Sequence, residues 1–463
     1  MITLPLNAVL RATLVSAFVA GLLIGLLPAS QARAQGLPLI RDTEIELLLN
    51  DYSQSIFRAA GLGTGRVTVR IVNNEAFNAF VVDGRNVFMH TGTLVQSNTP
   101  NEVIGVIAHE AGHIAGGHMA ALRSRIAKDQ TRALLIQLLG IGAMIGGAAT
   151  GSEGAGSVGQ GVMMGGNELI MRGLTAERRS QESAADQAGL KYLNATQQSG
   201  LGMLTTFERF AGQELFSDAH KDAFARTHPV ATDRLARLRQ LVETSPYYKN
   251  KDAPELQLRH DMMRAKLSGY MEAPSIVFNR YPVSDTSLPA RYARTIASFR
   301  QGAGGFEQGL AGVNALIRDY PSNPYFWEVK GDFLQKAGRP KEAIGPLRKA
   351  LELHKGDAPL VGVQLAQALL QTKEPQHSDE AIALLRKAVQ REPDNASAYN
   401  TLGQAYYDKG LLPQAELARA QGLFYFGALK QAQEFAKRAQ AGLKPGTPDW
   451  VKADDIVNYK PQT

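Results

Sequence analysis

The sequence predicts an α+β chain, in which a mainly helical domain with a small antiparallel sheet is followed by an all-α solenoid. Two observations in the first half support this: apolar residues at helical spacing, and a few short runs in which polar and apolar residues alternate. In the second half, one pattern of small and aromatic residues recurs at a spacing of about 34 residues, which is typical of stacked helix pairs.

Residues 1–34 have the composition of a signal peptide. An uncharged run follows Arg11, and Ala32 and Ala34 then supply the small residues of an A-x-A cleavage site. We therefore expect cleavage after Ala34 and export to the periplasm. An uncleaved membrane anchor is the alternative, because the uncharged run approaches the length that spans a bilayer.

The composition restricts the chemistry that is available to the protein. The 463 residues include no cysteine, which excludes disulfides, thiolate zinc sites, iron–sulfur clusters and cysteine nucleophiles. Any metal must therefore bind to His, Asp or Glu. The formal net charge of +7 is too small for a chain of this length to indicate a nucleic-acid binder.

The first domain begins with a predicted helix and a small sheet. Apolar residues recur at helical spacing over 40–60, and residues 66–72 alternate as a half-buried strand does. Residues 78–82 and 86–89 flank Asp83-Gly84, a dipeptide that favours a tight turn between strands. The three runs together predict a small antiparallel sheet.

The next helix carries a pattern that is typical of metal binding. Thr99-Pro100-Asn101-Glu102 offers a capping hydroxyl, a proline in the first turn and a glutamate that can bond back to the cap. His109 and His113 then lie on one face of the helix, because residues four apart are separated by about 40° around its axis. They can hold one Zn²⁺, and Glu110 can act as the general base of a hydrolase.

A catalytic zinc site usually has three protein ligands. A helix predicted over 175–193 offers Glu182 as the third ligand, and Asp186 lies one turn later, where it can accept the outer N–H of a ligand histidine. On a continuous helix His118 would lie about 140° around the axis from His113, so we assign it to the outer surface or to a structural hydrogen bond.

Taken together, these motifs resemble a family of zincin-like zinc peptidases that includes the CAAX prenyl proteases and HtpX. With the leader and the repeats, the mature chain is most similar to the periplasmic β-barrel assembly-enhancing protease subgroup of that family. The residues that carry the resemblance are Asn78-Ala79-Phe80, His109-Glu110-x-x-His113, Glu182-x-x-x-Asp186, Thr227-His228-Pro229 and Arg234.

The resemblance implies one Zn²⁺ per chain and a role for each matched residue. It implies that His109, His113 and Glu182 bind the ion and that Asp186 supports one of these ligands. It implies that Glu110 is the base and that His228 and Arg234 are also catalytic. It further implies that the strand at Asn78, Ala79 and Phe80 binds substrate. Two roles are open for His228. It can donate to the oxyanion, or it can occupy a fourth position at the metal and close the site.

Residues 133–152 form an uncharged run, and frequent glycines continue to residue 166. Related family members have membrane-spanning helices in this part of the chain. Because glycine lowers helix stability, we expect a flexible lid or a surface-associated hairpin that makes peripheral membrane contact through residues 133–166. The alternatives are a true membrane span and a buried helix followed by a disordered loop.

The second half shows tetratricopeptide spacing. One copy comprises Trp327, Gly331, Leu334, Gly338, Ala343, Leu347 and Ala350, and another comprises Tyr399, Leu402, Gly403, Tyr406, Gly410 and Ala415. Proline dipeptides separate this region from the first domain. We therefore expect a metallopeptidase domain over 35–275, a linker over 276–288 and a repeat domain over 289–463.

Two functions are compatible with these features. The first is a periplasmic zinc endopeptidase in outer-membrane protein quality control and assembly. Its substrates would be unfolded or misassembled outer-membrane proteins, and its repeats would dock on the β-barrel assembly machinery, as the resemblance implies. The second is a periplasmic chaperone or adaptor whose zinc site is latent. An adaptor has no need of Glu110, which favours the endopeptidase.

Overall fold

The computed structural model describes residues 37–63, 65–82, 84–150, 155–211, 213 and 222–461; at 138–150, 155–167, 169 and 171 it describes the backbone only. The predicted signal peptide lies outside the described residues, as does Asp83 of the predicted turn. The predicted α+β class is confirmed, with a helical first half that contains four short strands and a second half made of helices.

The sheet is built from β1 (Leu39–Ile40), β2 (Thr68–Val72), β3 (Ala79–Val81) and β4 (Asn86–His90), in the order β1-β2-β4-β3. The predicted hairpin is confirmed, since β3 and β4 pair antiparallel. The sheet is nevertheless mixed, because β2 pairs with β4 in parallel. Sequence alternation shows which residues form strands, but it does not show that β4 inserts between β2 and β3.

Ten helices of the first half surround this sheet in the described residues. They are α1 (Thr43–Ala59), α2 (Thr91–Gln96), α3 (Pro100–Ala115), α4 (His118–Thr150), α5 (Ala155–Ala195), α6 (Leu201–Arg209), α7 (Ala223–Thr227), α8 (Thr232–Glu243), α9 (Pro254–Met271) and α10 (Pro274–Arg280). Helix α3 is buried along most of its length and begins as predicted, with the Thr99 hydroxyl accepting a hydrogen bond from the Glu102 amide.

The segment for which we expected a flexible lid or a surface-associated hairpin is helical where the structure describes it, in α4 and α5. The two helices pack against each other, and α5 begins at Ala155, far upstream of the predicted start at Thr175. Among the residues that the structure describes, no helix is long and apolar enough to cross a bilayer. Most side chains of residues 133–166 are not described, so the predicted membrane contact stays a prediction.

Ten further helices form the second half as the structure describes it. They are α11 (Leu288–Phe299), α12 (Gly305–Asp319), α13 (Pro324–Lys336), α14 (Pro340–Leu353), α15 (Pro359–Gln371), α16 (His377–Arg391), α17 (Ala396–Asp408), α18 (Leu412–Tyr425), α19 (Leu429–Gly442) and α20 (Pro448–Asn458). Successive helices pack on one another, as in stacked helix pairs. Residues 276–280 of the predicted linker are helical, because α10 continues to Arg280, and the predicted domain bounds stay predictions.

A group of buried charges joins the two halves, and we call it the Lys266 cluster: Lys266, Asp42, Glu44, Glu328 and Tyr292. The Lys266 ammonium lies 2.8 Å from Asp42 and 3.3 Å from Glu44. The hydroxyl of Tyr292 donates to Glu44, and Thr43 donates to Glu328. Because α1 and α9 contribute on one side and α11 and α13 on the other, the cluster fixes the repeats against the first domain.

Candidate metal centre

Helices α3 and α5 cross at unusually short range. A Cβ built on Gly112 would lie 2.8 Å from the backbone oxygen of Ala185, and one built on Gly189 would lie 3.1 Å from the backbone of Ala108. Both glycines have ordinary helical backbone angles, so glycine is favoured at these positions because a side chain would clash with the facing helix. This close approach brings the Glu182 carboxylate to the histidines of α3.

Four buried side chains direct donor atoms at one point. Ligand atoms of His109, His113, Glu182 and His228 all lie within 4.8 Å of one another. The Nε2 atoms of His109 and His113 are 3.1 Å apart, and each lies 3.4 Å from a Glu182 oxygen. The Nδ1 atom of His228 lies 3.2 Å from His109 Nε2 and 3.1 Å from Glu182.

These separations approach those between the ligands of a bound zinc ion. Bonds of about 2.0 to 2.1 Å from zinc to nitrogen or oxygen place neighbouring ligands of a four-coordinate site about 3.3 to 3.4 Å apart. Five separations are 3.1 to 3.4 Å, where His113 is measured to Glu182 Oε1 and the other histidines to Oε2, and all four donors lie within 4.8 Å of one another. Lone pairs of two imidazoles repel each other at such a distance unless a cation or a proton lies between them, so the donor set fits a bound metal ion.

The outer nitrogen of His109 faces a carboxylate, as the sequence predicted. Its Nδ1 atom lies 2.9 Å from Asp186 Oδ1. Burial alone would lower the pKa of His109, but the Asp186 and Glu182 carboxylates outweigh it and raise the pKa to about 9. In the absence of a cation this histidine is therefore protonated, and a metal must displace the proton.

Arg234 lies behind the two carboxylates. Its guanidinium holds both oxygens of Asp186, with a 2.7 Å contact to Oδ1, and lies 3.1 Å from Glu182 Oε2. Although burial favours the neutral acid, hydrogen bonds from Arg234 and His109 lower the pKa of Asp186. The ring of Phe207 packs against both Arg234 and His109, which closes this side of the site.

His118 contacts the outer nitrogen of His113. The two Nδ1 atoms are 3.0 Å apart, and His118 is half-buried. The predicted separation of about 140° assumed one continuous helix. It does not apply, because α3 ends at Ala115 and Gly117 adopts a left-handed φ of 64° before α4 begins at His118. Of the two predicted placements, the structural hydrogen bond is the one that the structure contains.

Glu110 is buried beside the donor set without joining it. It is 1% exposed, and its Oε1 atom has no hydrogen-bond partner among the described residues. That oxygen lies 3.4 Å from His228 Nε2. A buried carboxylate oxygen without a partner is costly to maintain, which is typical of a group that is kept for chemistry.

His228 is tied to the edge of the sheet. Its Nε2 lies 3.1 Å from the Ala79 carbonyl, to which the N–H of the corresponding tautomer donates. The neighbouring Thr227 hydroxyl donates to the Asn78 side chain. With Nε2 engaged in this way, the lone pair of Nδ1 is directed at the other donors, in the position of a fourth ligand.

The predicted substrate strand is β3, at the edge of the sheet. Its one neighbour among the described strands is β4, so one side of β3 has no strand beside it, although the Ala79 carbonyl already accepts a hydrogen bond from His228. Phe80 stacks on Phe88 of β4 with ring centroids 5.4 Å apart. The structure thus places an open strand edge directly beside His228.

Sequence reasoning missed several residues that shape this centre. Gly112 and Gly189 have a signal that could have been recognised, since small residues on two helices that must meet permit close packing. Phe207 has none, because it lies on α6 and reaches His109 only through the tertiary fold.

Residues 43–242 match the model described as Peptidase family M48. The chain contains a peptidase family M48 domain. Residues 297–358 match a tetratricopeptide repeat and residues 378–410 match a TPR repeat, so the resemblance stated above is confirmed. The M48 domain implies a metal, and the donor set described above lies within it.

Two of the curated relatives are similar to this chain over about nine-tenths of its length, and a third over a shorter part. The beta-barrel assembly-enhancing protease of Escherichia coli (strain K12) is 24% identical over 432 residues, which cover 91% of this chain and 84% of the relative. The protein of the same name from Yersinia pestis is 23% identical over 446 residues, with coverages of 92% and 85%. The metalloprotease LoiP of Escherichia coli (strain K12) is 27% identical over 173 residues, which cover 37% of this chain and 62% of the relative.

Proposed function

We propose that this chain is a periplasmic zinc-dependent endopeptidase that acts in the quality control and assembly of outer-membrane proteins. The observation that carries the proposal is the convergence of His109, His113 and Glu182 on one point, with Glu110 buried beside it and lacking a hydrogen-bond partner in the described structure. The names of the curated relatives supply the process in which such a peptidase would act.

Each residue of the centre would have its own role in peptide hydrolysis. His109, His113 and Glu182 would hold one Zn²⁺, which when bound supplies a Lewis acid for the scissile carbonyl. Glu110 takes a proton from the attacking water and passes it to the leaving amine. Asp186 fixes the ring of His109 through its outer nitrogen.

Arg234 has a positioning role in this proposal, where the sequence had suggested a catalytic one. It is buried, and four of its five N–H groups are directed at Asp186, Glu182 and the Pro229 carbonyl. These four are not free to donate to a substrate carbonyl. Arg234 instead keeps two adjacent carboxylates ionised and oriented, which supports the ligand geometry.

The edge of β3 would bind the substrate as an added strand. Once His228 leaves the Ala79 carbonyl, an extended peptide can pair with the free side of Ala79, Phe80 and Val81, which gives backbone hydrogen bonds with little sequence preference. Unfolded chains supply such extended segments, whereas folded proteins rarely do. This supports unfolded or misassembled proteins as the substrate class.

Of the two roles considered for His228, the geometry supports the closing one. Its Nδ1 atom lies at the fourth donor position, and Ala79 holds its other nitrogen. The resting centre is then latent, and His228 must move before water or a substrate carbonyl can enter. Once displaced, the same imidazole would be close enough to donate to an oxyanion.

The repeats would dock the peptidase on its partner. Stacked helix pairs of this type present extended surfaces for peptides or proteins, and the relatives' names support the β-barrel assembly machinery as that partner. Peripheral membrane contact through residues 133–166 and cleavage of the leader after Ala34 complete the proposed periplasmic placement.

Replacing Glu110 with Gln tests the catalytic proposal, because the change removes the base and keeps the shape. We expect cleavage of an unfolded outer-membrane protein to fall by about 10²- to 10⁴-fold, with zinc content and melting temperature unchanged. Glu255→Gln makes the same chemical change on the exposed start of α9 and should leave cleavage unaltered.

Cleavage by the Glu110→Gln chain at the normal rate would refute the proposal. The second candidate is a chaperone or adaptor, which the closed position of His228 favours. If Glu110→Gln abolishes cleavage and still supports outer-membrane protein assembly in cells, the adaptor activity is the one that assembly requires.

A further inference from the structure

The two histidines of α3 differ in what holds their outer nitrogens. His109 Nδ1 faces Asp186, a carboxylate that Arg234 fixes in place. His113 Nδ1 faces the imidazole of His118, at 3.0 Å. In metal sites the partner of the outer nitrogen sets the tautomer and the orientation of the ligand ring. His113 would have no such partner in the described structure without His118.

The chain between the two rings is shaped to make this contact. Helix α3 ends at Ala115 with Gly116 as its C-cap, and Gly117 turns the chain with a φ of 64°, which is strained for any side chain. A Cβ on Gly116 would lie 2.4 Å from His118 Nε2. Gly116 has an ordinary φ of −74°, so its backbone does not require glycine. The missing side chain of Gly116 therefore leaves room for the His118 ring.

We propose that His118 is a positioning residue for the metal centre, and that it orients His113 through a hydrogen bond between their Nδ1 atoms. This inference rests on the proposed zinc site and adds a residue to it. His113 directs Nε2 at the other donors, so its proton is on Nδ1, which donates to the lone pair of His118 Nδ1.

His118 is not itself a ligand in this arrangement. The group of residues whose donor atoms converge contains His109, His113, Glu182 and His228, and His118 lies outside it. Its Nδ1 is directed at the far side of the His113 ring. The effect of His118 on the metal is therefore transmitted through His113.

The test measures the affinity of the full chain for Zn²⁺ by competition with a chelator of known affinity. In His118→Leu the bulk is kept and the acceptor is lost, and we expect the dissociation constant to rise about 10- to 100-fold. In His118→Asn the side-chain oxygen replaces Nδ1 at the same number of bonds from the backbone. That variant should restore an affinity close to that of the unchanged chain.

Gly116→Ala approaches the same contact from the other side. Its methyl group would displace the His118 ring while leaving every donor in place, so zinc affinity should fall as it does in His118→Leu. Gly302→Ala, at a position with open space around it, should leave zinc affinity unchanged. The melting temperature of the metal-free protein should be the same for His118→Leu and His118→Asn, which separates positioning from general stability.

Equal zinc affinity in His118→Leu and the unchanged chain would overturn this inference and leave the proposed function intact. Equal losses in the Leu and Asn variants would also overturn it, because the acceptor would then be irrelevant. If the unchanged chain itself fails to bind Zn²⁺, the proposed function fails and this inference fails with it.

Discussion

Two of the buried charge groups among the described residues satisfy the same physical requirement in different ways. In the Lys266 cluster, the Asp42 and Glu44 carboxylates lie beside an ammonium group that the chain itself provides. In the metal centre, donor atoms of three imidazoles and a carboxylate converge where the described structure places no lysine, and without a metal the His109 ring itself carries a proton. Arg234 lies behind the carboxylates, not among the donors.

The difference shows which cluster is built for a ligand. Burial opposes the charge on Lys266, but Asp42 and Glu44 hold its pKa well above the usual range. Asp42 and Glu44 therefore have a cationic partner that the folded chain supplies, although Glu328 Oε2 has no hydrogen-bond partner in the described structure. Among the described residues, the converging donors of the metal centre have no lysine beside them, and we expect a bound cation to take that place.

Metal removal should have the largest effect and should act on one cluster only. A chelator should abolish cleavage, and added Zn²⁺ should restore it. Loss of an ion that had been present at 1,000 times its dissociation constant lowers the free energy of unfolding by about 4 kcal/mol. Activity assays and thermal unfolding at several zinc concentrations measure both effects. Full cleavage after exhaustive metal removal would contradict the zinc mechanism.

Lys266→Met should be the most destabilising single change at the joint between the two halves. It leaves Asp42 and Glu44 buried without their cation, which costs about 3 to 5 kcal/mol when one partner of a buried pair is removed. Denaturant unfolding measures the loss. Lys452→Met breaks an exposed pair with Asp449 and should cost less than about 1 kcal/mol. Similar losses in the two variants would show that the Lys266 cluster does not fix the halves together.

His260 sharpens the comparison, because it is a buried histidine with a partner on each nitrogen. Nε2 lies 3.0 Å from the Ser97 carbonyl and Nδ1 lies 3.0 Å from the Tyr52 hydroxyl. Burial lowers the pKa of His260 to about 4. The unfolded chain binds this proton at a higher pH than the folded chain does, so the stability that the neutral ring contributes is present near pH 7. It is lost as the pH falls from the ordinary histidine pKa towards 4.

The expected size of this loss is about 2 to 3 kcal/mol between pH 7 and pH 4. His260→Gln offers the same donor and acceptor without a titrating group, so the pH dependence of its unfolding free energy should be weaker by that amount. Urea unfolding at a series of pH values measures the difference. Parallel curves for the two proteins would show that His260 is not held neutral.

Gly112→Ala tests how the metal centre is assembled. The added methyl group would meet the Ala185 backbone, and overpacking of this kind costs about 1 to 3 kcal/mol. Zinc affinity should fall too, because Glu182 would be displaced from the histidines. Gly345→Ala lies in α14 with open space around it, and there alanine should stabilise the helix by about 0.5 to 1 kcal/mol. Unchanged zinc affinity in Gly112→Ala would contradict the role given to the close helix crossing.

Local patterns in the sequence predicted much of the molecule. The cap at Thr99, the hairpin at β3 and β4, and the facing of His109 and His113 all depend on residues that are close in sequence. The parallel pairing of β2 with β4 depends on which strand enters between two others, and alternation does not encode this. The early start of α5 was missed because its glycines were weighted by helix propensity, which tertiary packing overrides.

At the candidate site, sequence patterns do not predict the contacts that depend on how the chain turns and packs in three dimensions. Glu182 and Asp186 were found because a zinc site needs a third ligand and a support for its histidine. The contact of His118 was not expected from the helix angle, because the turn at Gly117 changes the geometry after Ala115. The Lys266 cluster combines residues from positions 42 to 328, and no local pattern relates them.

Helices α4 and α5 connect the residues of the candidate metal centre to a distant part of the molecule. The 33-residue helix α4 is about 50 Å long, and it starts at the imidazole that supports His113. Helix α5 carries the Glu182 carboxylate and packs along its neighbour. A sideways displacement at the distal end of a helix of this length would produce a small rotation at its start, beside the ligand residues. We therefore expect a displacement at the distal end of this helix pair to change the positions of His113 and Glu182.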